Sequence, residues 1–374
     1  LAQISADAGR SADAVADAAA GYAVTTRALD APQMRFNIAD AELSARLLAG
    51  QIPAARDVAE RTRAQAADLP GAAQLLGEAI AGRAALGAGD LHRACALLSE
   101  AADALCRSHS VGWGYRYRIP HATALAMCGQ TQEAVAALAG LDQVRRRFRS
   151  LDDERSLAQA WIAAGQGAVS EAIAGARAAG ERACAAGRFA AEVVCLQTAV
   201  QFGDRTAAPR LRELESIVEG PRVGLAARWA TALREGDGIE LLELSAEFER
   251  MGDLVAAVDC AAHAAIAYRR QDKRGSALKC SMRADALARQ SGSITPAHRQ
   301  TTEPLPLTDR EYEVVRLIGA GLQNRGIADR LTLSVRTVES HIYRAMSKTG
   351  TTSREELAAL LRPPHRTFER GGGR

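Results

Sequence analysis

Four side chains near the C-terminus, Arg336, Glu339, Ser340 and Tyr343, have the types and spacing to meet the edges of nucleic-acid bases. An arginine offers a fork of donors to a guanine, and a glutamate accepts from a cytosine amino group. Around them Thr337, Arg344 and Lys348, with Ser334 and the amides near Asn324, suit backbone phosphate oxygens. The competing reading is a solvated helix face on which Glu339 simply pairs with Arg336. Either way these residues bind or solvate; none makes a catalytic constellation.

Such a face needs a helix whose other side is buried. Along residues 335–349, Val338, Ile342, Ala345 and Met346 recur at the spacing of a core stripe, which turns Arg336, Ser340, Tyr343 and Ser347 outward. Ser334 is a good N-cap for this helix, after a tight turn at Thr332-Leu333-Ser334. A shorter helix is expected before it, from about Asn324 to Leu331, burying Ile327, Ala328 and Leu331. Thr308 and Glu311 form a capping box that opens an earlier helix, which carries Val314, Val315, Leu317 and Ile318 and ends at Gly319 and Gly321. Ser353 with Glu356 opens a fourth helix carrying Leu357, Leu360 and Leu361, stopped by Pro363-Pro364. Two short helices crossing at a tight turn place the second in a DNA major groove.

This segment resembles the LuxR-type helix-turn-helix domain of bacterial transcription regulators. The matching residues include Leu307-Thr308, Arg310-Glu311, Gly321, Asn324, Ile327-Ala328, Ser334, Thr337-Val338, His341, Lys348, Gly350 and Ser353-Arg354. The resemblance implies that the third helix enters the major groove and that the fourth, through Leu357, Leu360 and Leu361, helps form a homodimer on double-stranded DNA. It also implies a structural role for His341. Three positions depart from the family pattern: Gln323 replaces a capping Ser or Thr, Gly326 a Glu, and Glu339 a Lys. The first two weaken the second helix, since Gln caps poorly and an interior Gly costs about 1 kcal/mol. These departures support an alternative: a helical-repeat adaptor whose degraded helix-turn-helix no longer binds DNA.

The preceding residues have a different character. Nearly half of the chain is hydrophobic but only 4% is aromatic, and alanine dominates, as expected where helices approach closely. Turn residues Gly50, Gly89, Gly129, Gly165, Gly203, Gly236 and Asp272 recur every few dozen positions. Each marks a helix, a turn and a second Ala-rich helix. Pairs of this size stack to bury their apolar faces, giving a solenoid of about six or seven pairs. The expected class is therefore all-α: a tetratricopeptide-like repeat domain at 1–289, a linker at 290–304, the four-helix domain at 305–362 and a disordered tail at 363–374. Small polar residues and prolines mark the linker.

Two segments of the repeats invite a binding role. Trp113-Gly114-Tyr115-Arg116-Tyr117-Arg118 with Pro120-His121 gathers aromatics and cations, and either lines a groove or fills a helix–helix gap. The run Arg145-Arg146-Arg147-Phe148-Arg149 is followed by Asp152, Asp153 and Glu154, which reads as a self-paired, solvated helix end. A protein or peptide partner, or a small molecule, is expected on the repeats.

The net charge is +3, and from Leu305 onward 12 basic residues face 8 acidic ones, so the excess lies in the C-terminal domain and the repeats are close to neutral. Seven scattered cysteines without metal-type spacing fit reduced thiols, and no apolar run is long enough to span a membrane. A cytoplasmic location, no cofactor and no metal are expected. Phosphate-binding loop, nucleophile-elbow and zinc-protease motifs are missing, so no catalytic residue is assigned. The combination of repeats and C-terminal domain is similar to the rear half of the large ATP-binding LuxR-family regulators of high-GC actinobacteria. No ATPase module is visible, and the chain opens on Leu1, which leaves a fragment, an unusual start and a shortened relative as alternatives.

Overall fold

The computed structural model describes residues 1–27, 32–69, 71–107, 112–142, 149–302, 307–349 and 351–359. The chain divides into two compact units, Leu1–Glu303 and Pro304–Arg374. Among the described residues all regular structure is helical.

The first unit opens with α1 (Ala2–Asp7) and α2 (Ser11–Arg27). Helix pairs follow: α3 (Pro32–Ala49) with α4 (Ile52–Ala66), α5 (Ala72–Gly87) with α6 (Leu91–Arg107), and α7 (Trp113–Met127) with α8 (Thr131–Asp142). Next come α9 (Asp152–Gly165) with α10 (Val169–Ala185), and α11 (Phe189–Gln201) with α12 (Ala208–Leu214). The series closes with α13 (Pro221–Glu235) and α14 (Gly238–Met251), α15 (Leu254–Arg270) and α16 (Arg274–Ser291), and a short α17 (Pro296–Thr302).

A repeated local device ends the first helix of each pair. A residue in the left-handed region follows it, and the next amide reaches back five residues: Gln51 N–H to Arg46 O, Asp90 to Ala85, Gln130 to Leu125 and Asp237 to Ala232. Gly50, Gly89, Gly129, Gly203, Gly236 and Asp272 occupy the left-handed position, as their periodicity suggests. Gly165 does not; it is the last residue of α9, and Gly167 carries the positive φ two positions later. Asp237 and Asp253 then cap the following helix with their side chains.

The pairs coil tightly enough for later ones to sit on earlier ones. Gly50, after α3, lies against Arg222 of α13 and Met251 of α14. Gly89, after α5, lies against Leu254 and Val255 at the start of α15, and Leu254 N–H donates to Ala88 O. Gly129, after α7, meets Ile294, whose N–H donates to Met127 O at 2.8 Å. Gly165 O accepts from Arg299 of α17 at 3.1 Å. The sixth pair therefore rests on the first and the seventh on the second. One superhelical turn takes five pairs.

That stacking corrects the linker expected at 290–304. Ser291, Ser293 and Thr295 are buried, and the Thr295 hydroxyl donates to the buried Asp259 carboxyl of α15. His298 pairs with Asp285 at 2.7 Å. The small polar side chains are small because they seat between helices, so the packed repeats run through to Thr302. Residues 303–306, and the tail expected at 363–374, lie outside the described residues.

The second unit contains α18 (Asp309–Gly319), α19 (Asn324–Leu331), α20 (Val335–Thr349) and α21 (Arg354–Ala359). Val314, Val315, Leu317, Ile327, Val338, Ala345 and Leu357 form its core.

Candidate nucleic-acid interface

The capping box at the head of α18 forms as its spacing indicates. Thr308 N–H donates to Glu311 Oε2 at 2.8 Å, and Glu311 N–H donates to Thr308 Oγ1 at 3.3 Å. Glu311 is only 2% exposed. Burial alone would push its carboxyl up, but Lys348 and the Thr308 amide outweigh that and hold it below the usual range. Lys348 Nζ meets both carboxylate oxygens, at 2.7 and 3.0 Å. Lys348, expected at a phosphate, is thus ion-paired within the domain.

Helix α19 is held in place from outside. Gln323 sits at its N-cap without a side-chain hydrogen bond, as its residue type implies. Arg354, at the start of α21, compensates by donating to Leu322 O at 2.7 Å and to Asn324 Oδ1 at 2.6 Å. The Asn324 side-chain oxygen is thus occupied. At the other end Thr332 takes a left-handed conformation, φ 54°, and Arg310 Nη2 donates to Leu331 O at 2.7 Å. Sequence reasoning missed both arginine clamps, although Arg310 and Arg354 stood among the matching residues. Gln323→Ser is expected to slow amide exchange in α19 of the full chain, through a stabilisation of about 1 kcal/mol. Unchanged protection there would mean that the Arg354 clamp already supplies what a cap would add.

Ser334 caps α20, accepting from Thr337 N–H at 3.1 Å, while its hydroxyl lies 2.7 Å from that of Thr337. Val338 and Ala345 are buried, with Ile342 and Met346 half-buried beside them. The opposite face carries Arg336, Glu339, Ser340, Tyr343, Arg344 and Ser347, all exposed, and Tyr343 retains 76% of its surface. Among the described residues, Arg336 and Glu339 form no ion pair with each other, contrary to the solvated-pair alternative. His341 is half-buried, its Nδ1 has no hydrogen-bond partner among the described residues, and burial lowers its pKa.

Residues 305–361 match the family described as "Bacterial regulatory proteins, luxR family". The C-terminal unit is a LuxR-family helix-turn-helix domain. Curated proteins are similar to this chain over comparably short stretches. Response regulator Rre1 of Synechocystis sp. is 45% identical over 74 residues, covering 19% of this chain and 32% of that protein. Oxygen regulatory protein NreC of Staphylococcus aureus is 45% identical over 58 residues, covering 15% of this chain and 27% of that protein. The chain thus spans about a third or less of the length of these relatives. No solved structure matches the chain.

The dimer face implied for the fourth helix of the LuxR-type domain is revised. Leu357 is fully buried in the domain's own core, packed with the α18 residues. Leu360 and Leu361 lie outside the described residues.

The two candidate segments of the first unit also resolve. Tyr117 is buried and stacks on Trp113 at 5.6 Å, so it fills a helix gap, whereas Trp113 and Arg116 line an interior cavity. Of the arginine run, Arg145 to Phe148 lie outside the described residues. The acidic residues after it are not a solvated end. Asp153 is 4% exposed beside Arg188, and Glu154 bonds Arg116 at 2.5 Å. The start of α9 points inward, where these cations wait. Among the described residues no helix is long and apolar enough to cross a membrane.

Proposed function

We propose that this chain is a sequence-specific DNA-binding transcription regulator that acts as a homodimer, with α20 in the major groove and the helical repeats sensing a partner. The observation that carries the reading is the outward face of α20. Arg336, Glu339, Ser340, Tyr343 and Arg344 are exposed there, while Glu311 and Lys348 pair with each other and Ser334 caps the helix. Side chains without internal partners keep their donors and acceptors for bases and phosphates. The family match of residues 305–361 supports the same reading. Glu339 offers an acceptor to cytosine, and Ser334, Thr337 and Arg344 sit where phosphates flank the helix. The adaptor alternative loses its main support, because Arg354 restrains α19 despite Gln323 and Gly326.

The test is binding of the full chain to its own upstream intergenic DNA, titrated with salt. Affinity is expected to fall steeply as salt rises. Arg344→Ala should weaken binding to all sequences and lower the salt slope by about one unit, whereas Arg336→Ala and Tyr343→Ala should erode sequence preference by about 1–3 kcal/mol. No binding to intergenic or genome-derived fragments, at concentrations that favour dimers, would favour the adaptor.

A further inference from the structure

The interior of the superhelix in the first unit encloses a cavity of about 510 Å³. That lies within the range of small-molecule sites. Its wall is mostly apolar, with Trp113, Ile119, Met127, Leu157 and Val194 among its members, and α3, α5, α7, α9, α11 and α13 all contribute. Helices that pack through alanine would close such a space if nothing propped it open. Here the prop is a set of ion pairs.

Three of the four arginines of the wall are held by carboxylates and neighbouring acceptors. Arg116 donates from Nε to Asp40, from Nη1 to Glu154 and from Nη2 to Ser44. Arg83 donates to Asp40 and Ser44, and Arg222 to Asp253, Gln197 and Leu47 O. Four arginines face five carboxylates, Asp7, Asp40, Asp153, Glu154 and Asp253, so the wall carries one more negative than positive charge. The carboxylates are not all satisfied. Asp153 is 4% exposed and ion-paired with Arg188 Nη2 at 2.8 Å, but among the described residues neither of its oxygens has a donor in hydrogen-bond geometry. Arg188 Nε is one buried donor without a partner, against two such acceptors on Asp153. Asp7 receives only Gln3 Nε2, at 2.7 Å. Glu154 keeps 40% of its side-chain surface while lining the cavity, so an acceptor remains open to the interior. Asp153 and Glu154 are adjacent at the start of α9, and Asp7 lines the same cavity.

We propose that this cavity binds an amphipathic organic ammonium: an aromatic or aliphatic body against the apolar wall, with a protonated amine among Asp7, Asp153 and Glu154. An anionic ligand would have to take Arg83, Arg116 or Arg222 away from a buried carboxylate, or share Arg188 with Asp153, and each such exchange leaves a carboxylate less well compensated. A cation instead meets carboxylate oxygens that have few donors and offsets the surplus negative charge, and Trp113 lines the same cavity. The proposal gives a ligand class to the sensing role suggested above.

Two dansyl probes with the same fluorophore test it, one with a pentylammonium tail (dansylcadaverine) and one with a carboxylate tail of similar length. Titrated into the full chain, the ammonium probe is expected to show enhanced, blue-shifted emission and to bind at least about tenfold tighter than the carboxylate probe. Asp7→Asn, at a half-exposed position with a single side-chain contact, and Asp153→Asn should each reduce that preference. Leu157→Trp, which fills the cavity, should abolish binding of both probes. Equal or tighter binding of the carboxylate probe, no binding of either, or ammonium binding that survives Leu157→Trp would each overturn the proposal. The titration reads the first unit without DNA, so its failure leaves the DNA-binding reading intact.

Discussion

Asp40→Ala is expected to destabilise the first unit by about 3–5 kcal/mol, the cost of breaking a buried ion pair from one side. Asp40 is 8% exposed and accepts from Arg83, from Arg116 Nε at 2.9 Å and from the Tyr117 hydroxyl at 3.1 Å. Burial pushes its carboxyl up, but Arg116 and Arg83 together outweigh burial and hold it below the usual carboxylate range. Its removal strands two guanidinium groups inside the superhelix, with Glu154 and the Ser44 hydroxyl left to share. Urea unfolding followed by tryptophan fluorescence reads this unit selectively, because Trp113, Trp161 and Trp229 all lie in it. A loss below about 1 kcal/mol would mean that the cavity admits enough water to solvate the arginines.

Asp259→Asn is expected to do the opposite, and by an amount that depends on pH. Asp259 is fully buried, and burial raises its pKa to about 8 despite hydrogen bonds from Thr295 and Gln201; Asp253 adds to the rise. Between pH 3.8 and about 8 the folded chain therefore holds a proton that the unfolded chain has released. Stability falls across that window by about 1.4 kcal/mol per pH unit as pH rises. His263 works in the other direction. Burial lowers it from 6.5 to about 3 while it accepts from Trp229 Nε1 at 3.3 Å, so its contribution is lost as pH falls below 6.5. The two slopes offset each other in mild acid, and above 6.5 the Asp259 slope stands alone. The variant should thus gain little near pH 4 and about 4 kcal/mol near pH 7, levelling off above 8. Parallel stability profiles for parent and variant would show that Asp259 ionises normally in the fold.

Much of the C-terminal unit was legible because its signals are local. Capping boxes, a period near 3.6 and a tight turn are written within a few residues of where they act, and they locate α18, α19 and α20 closely. The roles of Lys348 and Leu357 were not legible, since each depends on what a distant helix presents. Lys348 is 37 positions from Glu311 along the chain, and nothing near Leu357 says that α18 covers it. The repeats show the same division. Periodic glycines gave the pairs, but residues 290–302 read as a linker because seats between stacked helices and flexible segments favour the same small polar residues. The cavity was invisible for a related reason: Asp7, Asp40, Asp153 and Arg222 are far apart in sequence and meet only when the superhelix winds. Of the aromatic segment near Trp113, both readings hold, residue by residue.

A turn of five pairs, with the sixth seated on the first, changes what evolution can do to this unit. An open solenoid tolerates gain or loss of a repeat, because each repeat answers only to its neighbours. Here an inserted or deleted pair would move Arg222 away from Gly50 and Leu254 away from Gly89 at once. Repeat number is therefore locked, and unfolding should be all-or-none instead of fraying from an end. Variation among close kin of this chain should then fall in side chains facing the cavity, while the count of helices stays fixed.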